Sequence, residues 1–148
     1  MRWLFLILFA IIAALQACRP SGPPQDQAVQ TTSSLPSDFT NFYQQFHLDS
    51  NYQYDHIIFP MQGLPANADA ETIESGNFYW TKDTWVLHRP VDFETSDFTR
   101  ELIPLGDDIV MEKIIHRNGQ TGMLRRFAKI NDEWYLIYFA DLNRIKMK

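Results

Sequence analysis

Three successive apolar-rich runs in the last third of the chain are separated by short polar turn signals. Ile109 to Arg117, Gln120 to Ile130 and Glu133 to Leu142 therefore predict three strands. Asn118-Gly119, the strongest two-residue hairpin signal, separates the first two, and Asn131-Asp132 separates the second two. With two-residue loops at both turns the register follows: Arg117 lies opposite Gln120, and Ile130 opposite Glu133. One face then carries three cross-strand rows. These are Val110, Phe127, Leu136; Glu112, Arg125, Tyr138; and Ile114, Met123, Ala140. Two apolar rows flank one polar row, and a slip of one residue would scramble all three. The opposite face holds Met111, Ile115, Leu124, Ile137 and Phe139, which predicts partial cover on both sides of the sheet.

Upstream the period changes. Phe39, Phe42, Tyr43 and Phe46 stand at i, i+3, i+4 and i+7, one apolar stripe of a helix. Ser37-Asp38 supplies side chains suited to cap its start. Asp49 is a second such cap, for a short helix from Ser50 to Asp55 that carries Tyr52 and Tyr54. His56-Ile57-Ile58-Phe59 reads as a strand closed by Pro60. Residues 62–76 read as loop. Asn77 to Leu87 fits either two short strands with a turn at Thr81 to Thr84 or one helical turn. Phe98 to Leu105 reads as a strand, with Pro104 placing its end at a sheet edge. Helices first and strands last predict an α+β domain, with N-terminal helices packed on a curved antiparallel sheet.

The N-terminal pattern is different again. After Met1-Arg2, residues Trp3 to Leu15 are apolar without interruption. Thirteen residues are too few to cross a bilayer, which takes roughly 20, but they suit the central part of a secretory signal. Leu15-Gln16-Ala17-Cys18 then resembles the lipobox of bacterial lipoproteins. The resemblance implies cleavage before Cys18, a diacylglycerol on its sulfur and an acyl chain on its new amino group. Several chains on one residue hold a protein to a membrane far longer than one does. Arg19 is not the aspartate associated with inner-membrane retention, so the resemblance points to the outer membrane. No acidic cluster follows Cys18, which favours the periplasmic side. Arg19 to Ser37 holds four prolines, many small polar residues and no aromatic. It reads as a linker. The expected organisation is thus a signal over 1–17, a lipidated cysteine and linker over 18–37, and one domain over 38–148.

Composition narrows the function classes. Without residues 1–17, twelve Lys and Arg face eighteen Asp and Glu. An acidic balance disfavours nucleic acid, whose phosphates require a basic face. The one cysteine is assigned to lipid, so no disulfide can brace the fold. Eighteen aromatic residues remain in the same stretch, enough for a dense core.

Two stretches carry a further resemblance: "NFYQQFHLDSNYQYDHIIFP" over 41–60 and "RRFAKINDEWYLIYFADLN" over 125–143. Together they resemble a bacterial lipoprotein family known as domain of unknown function 4348. That family is similar to the nuclear transport factor 2-like cone, in which helices pack into the concavity of a bent sheet. The resemblance spans residues 38 to 143 and carries no activity with it.

Glu112, Arg125 and Tyr138 are the candidate ligand-binding residues. They would set an anion, a cation and a phenol within cross-strand reach on one face. The same residues also fit a structural ion pair with the arginine stacked on the tyrosine. His47, His56, His88 and His116 have no pair at the spacing of a local metal motif, and no thiol is free to join them. No metal or other cofactor is therefore expected. An isomerase or dehydratase reading would need Asp49 or His56 as base and Tyr52, Tyr54, Tyr79 or Tyr138 as donor, and nothing in their spacing selects them. Phe78, Tyr79, Trp80 and Trp85 fit either core packing or the wall of a carbohydrate or apolar ligand site. No phosphate-binding glycine loop and no Gly-x-Ser-x-Gly occur. The expectation is a membrane-anchored, noncatalytic module that binds a small ligand or an envelope protein, with a scaffold or homodimer role as the alternative.

Overall fold

The computed structural model describes residues 34–145. Leu15, Gln16, Ala17 and Cys18 lie outside the described residues, as does most of the expected linker. Leu35, near the end of that linker, packs against the core.

Helix α1 spans Ser37–Leu48 and buries Phe39, Phe42 and Phe46, the stripe that its periodicity predicts. Its N-cap is Pro36, with no side-chain cap, so Ser37 and Asp38 fall inside the first turn instead of before it. Asp38 there complements the positive helix end, and it pairs with Lys129 on the sheet at 2.9 Å. Asp49 ends α1 and starts α2, Ser50–Asp55. Its backbone N–H donates to the Gln45 carbonyl, and its Oδ1 accepts from the amides of Asn51 and Tyr52.

Strand β1, Ile57–Leu64, runs on through Pro60 instead of stopping there. The Phe59–Pro60 peptide is cis. Register against the neighbouring strand shifts between Ile57 and Gln62. A residue with no N–H therefore sits where the ladder is already interrupted. Part of the expected loop over 62–76 is helix α3, Ala70–Ser75. Asp69 caps it by accepting from the Thr72 amide, and Gly76 closes it at φ 61°. None of its residues is buried, so no apolar period announced it. Strand β2 is only Tyr79–Trp80; a turn follows at Thr81 to Thr84, and Trp85-Val86-Leu87 forms no strand.

The remaining strands are β3, Phe98–Pro104; β4, Ile109–His116; β5, Thr121–Ile130; and β6, Glu133–Arg144. The six form one sheet in the order β2-β1-β6-β5-β4-β3. Pro104 does end an edge strand. The sheet is mixed, not antiparallel throughout, because β1 pairs with β6 in parallel. Tight turns can only join antiparallel neighbours, so the apolar runs and hairpin signals could not reveal a pairing made across the whole domain.

The β4–β5 register is the one the Asn118-Gly119 turn dictates: Val110 pairs with Phe127, Glu112 with Arg125, and Ile114 with Met123. On β6 the expected register holds from Ile130–Glu133 to Phe127–Leu136 and then breaks. Beyond that shift Arg126 faces Tyr138, Arg125 faces Phe139, and Leu124 faces Ala140. One extra residue in a strand moves every later side chain to the other face and bends the sheet. Tyr138 thereby leaves the polar row and Phe139 enters it; Ala140 likewise leaves the row of Ile114 and Met123.

The core lies between α1 and the sheet. Phe39 meets Trp134 edge-on at 5.0 Å and Phe127 at 5.4 Å, and Phe46 meets Phe127 at 5.7 Å. Trp85 extends this core over Phe139 from the segment after β2. Val110, Ile114, Phe127 and Leu136, all from the predicted apolar rows, are fully buried.

Candidate functional site

In the polar row the sheet places Glu112 and Arg125 side by side under α1, with 0% and 4% of their surface exposed. Arg125 Nη1 donates to Glu112 Oε2 at 3.0 Å. The other Glu112 oxygen accepts from the Tyr43 hydroxyl. Burial first, and the Glu112 charge second, push the Tyr43 pKa upward, so the phenol stays protonated and serves as a donor.

His47 completes the cluster. Its Nδ1 lies 2.8 Å from the Tyr43 carbonyl, one helical turn earlier, and its Nε2 lies 3.0 Å from Arg125 Nη1. A guanidinium can only donate and a carbonyl can only accept. The imidazole is therefore neutral, with the proton on Nδ1 and the lone pair on Nε2. Burial, and then the Arg125 charge, hold its pKa below the usual range.

The expected third member of the row, Tyr138, is not in the cluster. The register shift carries it to the outer face, where the Arg126 guanidinium lies 5.5 Å from its ring centre. Tyr43 and His47 take its place. Both were within reach of sequence reasoning, since His47 is four residues beyond Tyr43 on the same helix. What the sequence did not contain was the docking of that helix on the row.

Two clefts that matter here are lined by the cluster's residues. The first, of about 620 Å³, is bounded by Phe39, Tyr43 and His47 of α1, by Val91 and Phe93, and by Arg100 and Leu102 of β3. The second, of about 420 Å³, is walled by Trp80, Trp85 and Phe139, with Met123, His88 and Arg125. Both are of a size that small ligands occupy. Trp80 and Trp85 thus serve the core and the second cleft together, whereas half of the Tyr79 surface is exposed.

The segment over 85–91 that roofs the second cleft is held by a buried amide. Gln53 Nε2 donates to the carbonyls of Phe46 and His88, both at 2.7 Å. Gln53 Oε1 accepts from the His88 amide at 2.7 Å and from Trp85 Nε1 at 3.4 Å. His88 is packed against Trp85 and Phe139, with ring centres 4.5 Å apart in each case. Burial drives its pKa down to about 2, with Arg125 and then His47 adding to the effect, so it too is neutral.

None of these groups is placed for acid–base work. Both Glu112 oxygens are engaged, both His47 nitrogens are engaged, and His88 binds protons too weakly to act as a base near neutrality. The residues expected to serve an enzyme lie elsewhere. Asp49 caps α2, and His56 bonds to the Tyr52 carbonyl and stacks between the Tyr52 and Tyr135 rings. Neither lines either cleft.

The fold and site define an α+β domain with a bent six-stranded sheet, a helix laid across one face, and clefts beside a buried polar cluster. Among solved structures it is similar to a cystatin-like protein from Bacteroides caccae. That likeness has 18% identity and a TM-score of 0.50, covering 72% of this chain and 79% of the other. A second, looser likeness is to the association domain of C. elegans CaMKII. It has 12% identity and a TM-score of 0.35, covering 72% of this chain and 88% of that one. No family model and no curated protein matches the chain. Among the described residues no helix is long and apolar enough to cross a membrane.

Proposed function

We propose that this protein is a lipid-anchored envelope lipoprotein whose folded domain, a cone of the nuclear transport factor 2-like type, binds a small ligand without chemical turnover. Membership of the lipoprotein family of domain of unknown function 4348, which the sequence resembles, belongs to the same reading. The observation that carries it is the state of the face under α1. Its polar groups are largely saturated by one another, yet clefts of about 420 and 620 Å³ stay open beside them. A scaffold domain would fill that space with side chains. An enzyme would leave a base exposed to it. A binding module needs an open apolar cleft with a few polar groups, which is what Trp80, Trp85, Phe139, His88 and Arg125 supply. The cystatin-like likeness supports the fold component of this reading. Leu15-Gln16-Ala17-Cys18 behind its apolar run supports the anchor, placed at the outer membrane on the periplasmic side.

Two measurements test it. Metabolic labelling with a palmitate analogue should mark the chain, and Cys18→Ser should abolish the label and release the chain from the membrane fraction. Ligand-observed NMR with a library of small aromatic compounds should find binders that Met123→Trp displaces by filling the second cleft. An unlabelled, freely diffusing chain overturns the anchor. A library without binders overturns the binding role, and binders indifferent to Met123→Trp overturn its placement in the second cleft.

A further inference from the structure

The second cleft contains an uncommitted recognition edge. Of the three guanidinium nitrogens of Arg125, Nη1 alone is engaged, by Glu112 and His47. Nε is buried with no hydrogen-bond partner, and Nη2 makes no hydrogen bond among the described residues. Nε–H and one Nη2–H project in parallel from a planar guanidinium. They form the fork that takes both oxygens of a carboxylate. With 4% of its surface exposed, Arg125 has little access to water to satisfy that fork. His88, whose buried Nδ1 also lacks a partner, lines the same cleft. Both residues pack on Phe139: the Arg125 guanidinium carbon is 5.9 Å from its ring centre and the His88 ring 4.5 Å. Both of these side chains therefore lie against the aromatic wall.

We propose that this cleft binds a small monocarboxylate with a flat aromatic or apolar body. The carboxylate sits on Arg125 Nε and Nη2, the neutral His88 imidazole donates from Nδ1, and the body lies against Trp80, Trp85 and Phe139. The proposal rests on the binding role above and names its ligand class. Charge limits the ligand to one carboxylate. Glu112 offsets Arg125 from the Nη1 side, and the other charged lining residues, Arg89 and Asp141, have opposite signs. The site offers one fork and no surplus of positive charge, so a phosphate or a dicarboxylate is poorly matched. Discrimination then comes from hydrogen-bond geometry, and Asp141 works against it.

The test is calorimetric titration of the full chain at neutral pH with 3-phenylpropanoate and with its neutral amide. The carboxylate should bind, and the amide at least about tenfold more weakly. Asp141→Asn should tighten carboxylate binding severalfold at low salt and leave amide binding unchanged. Arg125→Lys keeps a cation beside Glu112 but has no fork, and should lose the preference for the carboxylate. Circular dichroism identifies any variant that has not folded, and Asp141→Asn alters no member of the buried cluster. Equal binding of acid and amide overturns the carboxylate assignment and leaves the binding role intact. No binding of the acid, or an Asp141→Asn variant with unchanged affinity for it, also overturns the assignment. Whether the cleft takes ligands at all is decided separately by the compound library and Met123→Trp.

Discussion

The guanidinium of Arg125 donates to Nε2 of His47 at 3.0 Å, so a permanent cation holds an imidazole in its neutral form. The contact is possible only because the Tyr43 carbonyl takes the Nδ1 proton and leaves Nε2 as an acceptor. Protonating His47 would turn that acceptor into a donor aimed at a guanidinium. His88, in the neighbouring cleft, is held neutral chiefly by burial, with the Arg125 charge adding to the effect.

Acidification below about pH 6.5 should therefore destabilise the domain. Both histidines have folded-state pKa values below their unfolded value of about 6.5. The unfolded chain then binds more protons as pH falls below about 6.5, and stability falls with it. For His88 the loss continues down to its folded pKa of about 2. Asp38, lowered by its hydrogen bond with Lys129, loses its contribution only below the carboxylate value of 3.8. Urea midpoints at pH 7.5, 6.0 and 5.0 should decline steadily, and His47→Gln should make the decline shallower. A pH-independent midpoint over this window contradicts the neutral assignment.

Breaking the buried ion pair from one side should cost far more than removing it whole. Glu112→Met or Arg125→Met leaves an uncompensated charge at a site with almost no access to water, at a cost of about 3–5 kcal/mol. The double variant Glu112→Met/Arg125→Met should lose much less than the sum of the two single losses. Denaturant unfolding of the four proteins yields the coupling directly. Additive losses would mean that the pair is not a unit.

Gln53→Leu should loosen the roof of the second cleft. It removes the acceptor of the His88 amide and the donor to the His88 carbonyl together. Buried polar groups left unmet cost about 1–3 kcal/mol each. Amide hydrogen exchange over residues 85–91 should accelerate strongly while that of β4 and β5 changes little. Uniform acceleration would instead indicate that Gln53 serves global stability alone.

Gly63→Ala should detach β2 from the sheet. A Cβ at this position would lie 1.9 Å from the Phe139 carbonyl oxygen and 2.6 Å from Trp80 Nε1. The Trp80 indole donates to that same carbonyl at 2.9 Å. Backbone must move, at a cost of about 1–3 kcal/mol, and the Trp80 fluorescence maximum should shift red as the ring enters water. An unshifted spectrum at wild-type stability would refute this close approach.

Much of the β4–β5–β6 meander was legible because its causes are local. Asn118-Gly119 and Asn131-Asp132 fix two turns, period-two alternation fixes the faces, and Glu112 must then lie beside Arg125. Helix α1 was legible for the same reason: its apolar stripe repeats within the helix itself. Asp49 announced α2 through a cap that reaches only three residues ahead.

Other features had no local cause to read. The register shift between Arg126 and Phe127 puts Phe139, not Tyr138, opposite Arg125, and the continuous apolar run from Trp134 to Ala140 gives no sign of where the extra residue falls. Helix α3 buries nothing, so it left no apolar pattern.

By itself, then, the sequence determined the α+β order, the β4–β5 hairpin register, the helical stripe and the pairing of Glu112 with Arg125, all consequences of turn chemistry and periodicity over a few residues. Tertiary structure alone decided that β1 runs parallel to β6, that Tyr43 and His47 close over the polar row, and that Gln53 pins His88 above a cleft. Those contacts join residues dozens of positions apart. They are selected by how helix and sheet surfaces fit together, a property that no short window of residues encodes.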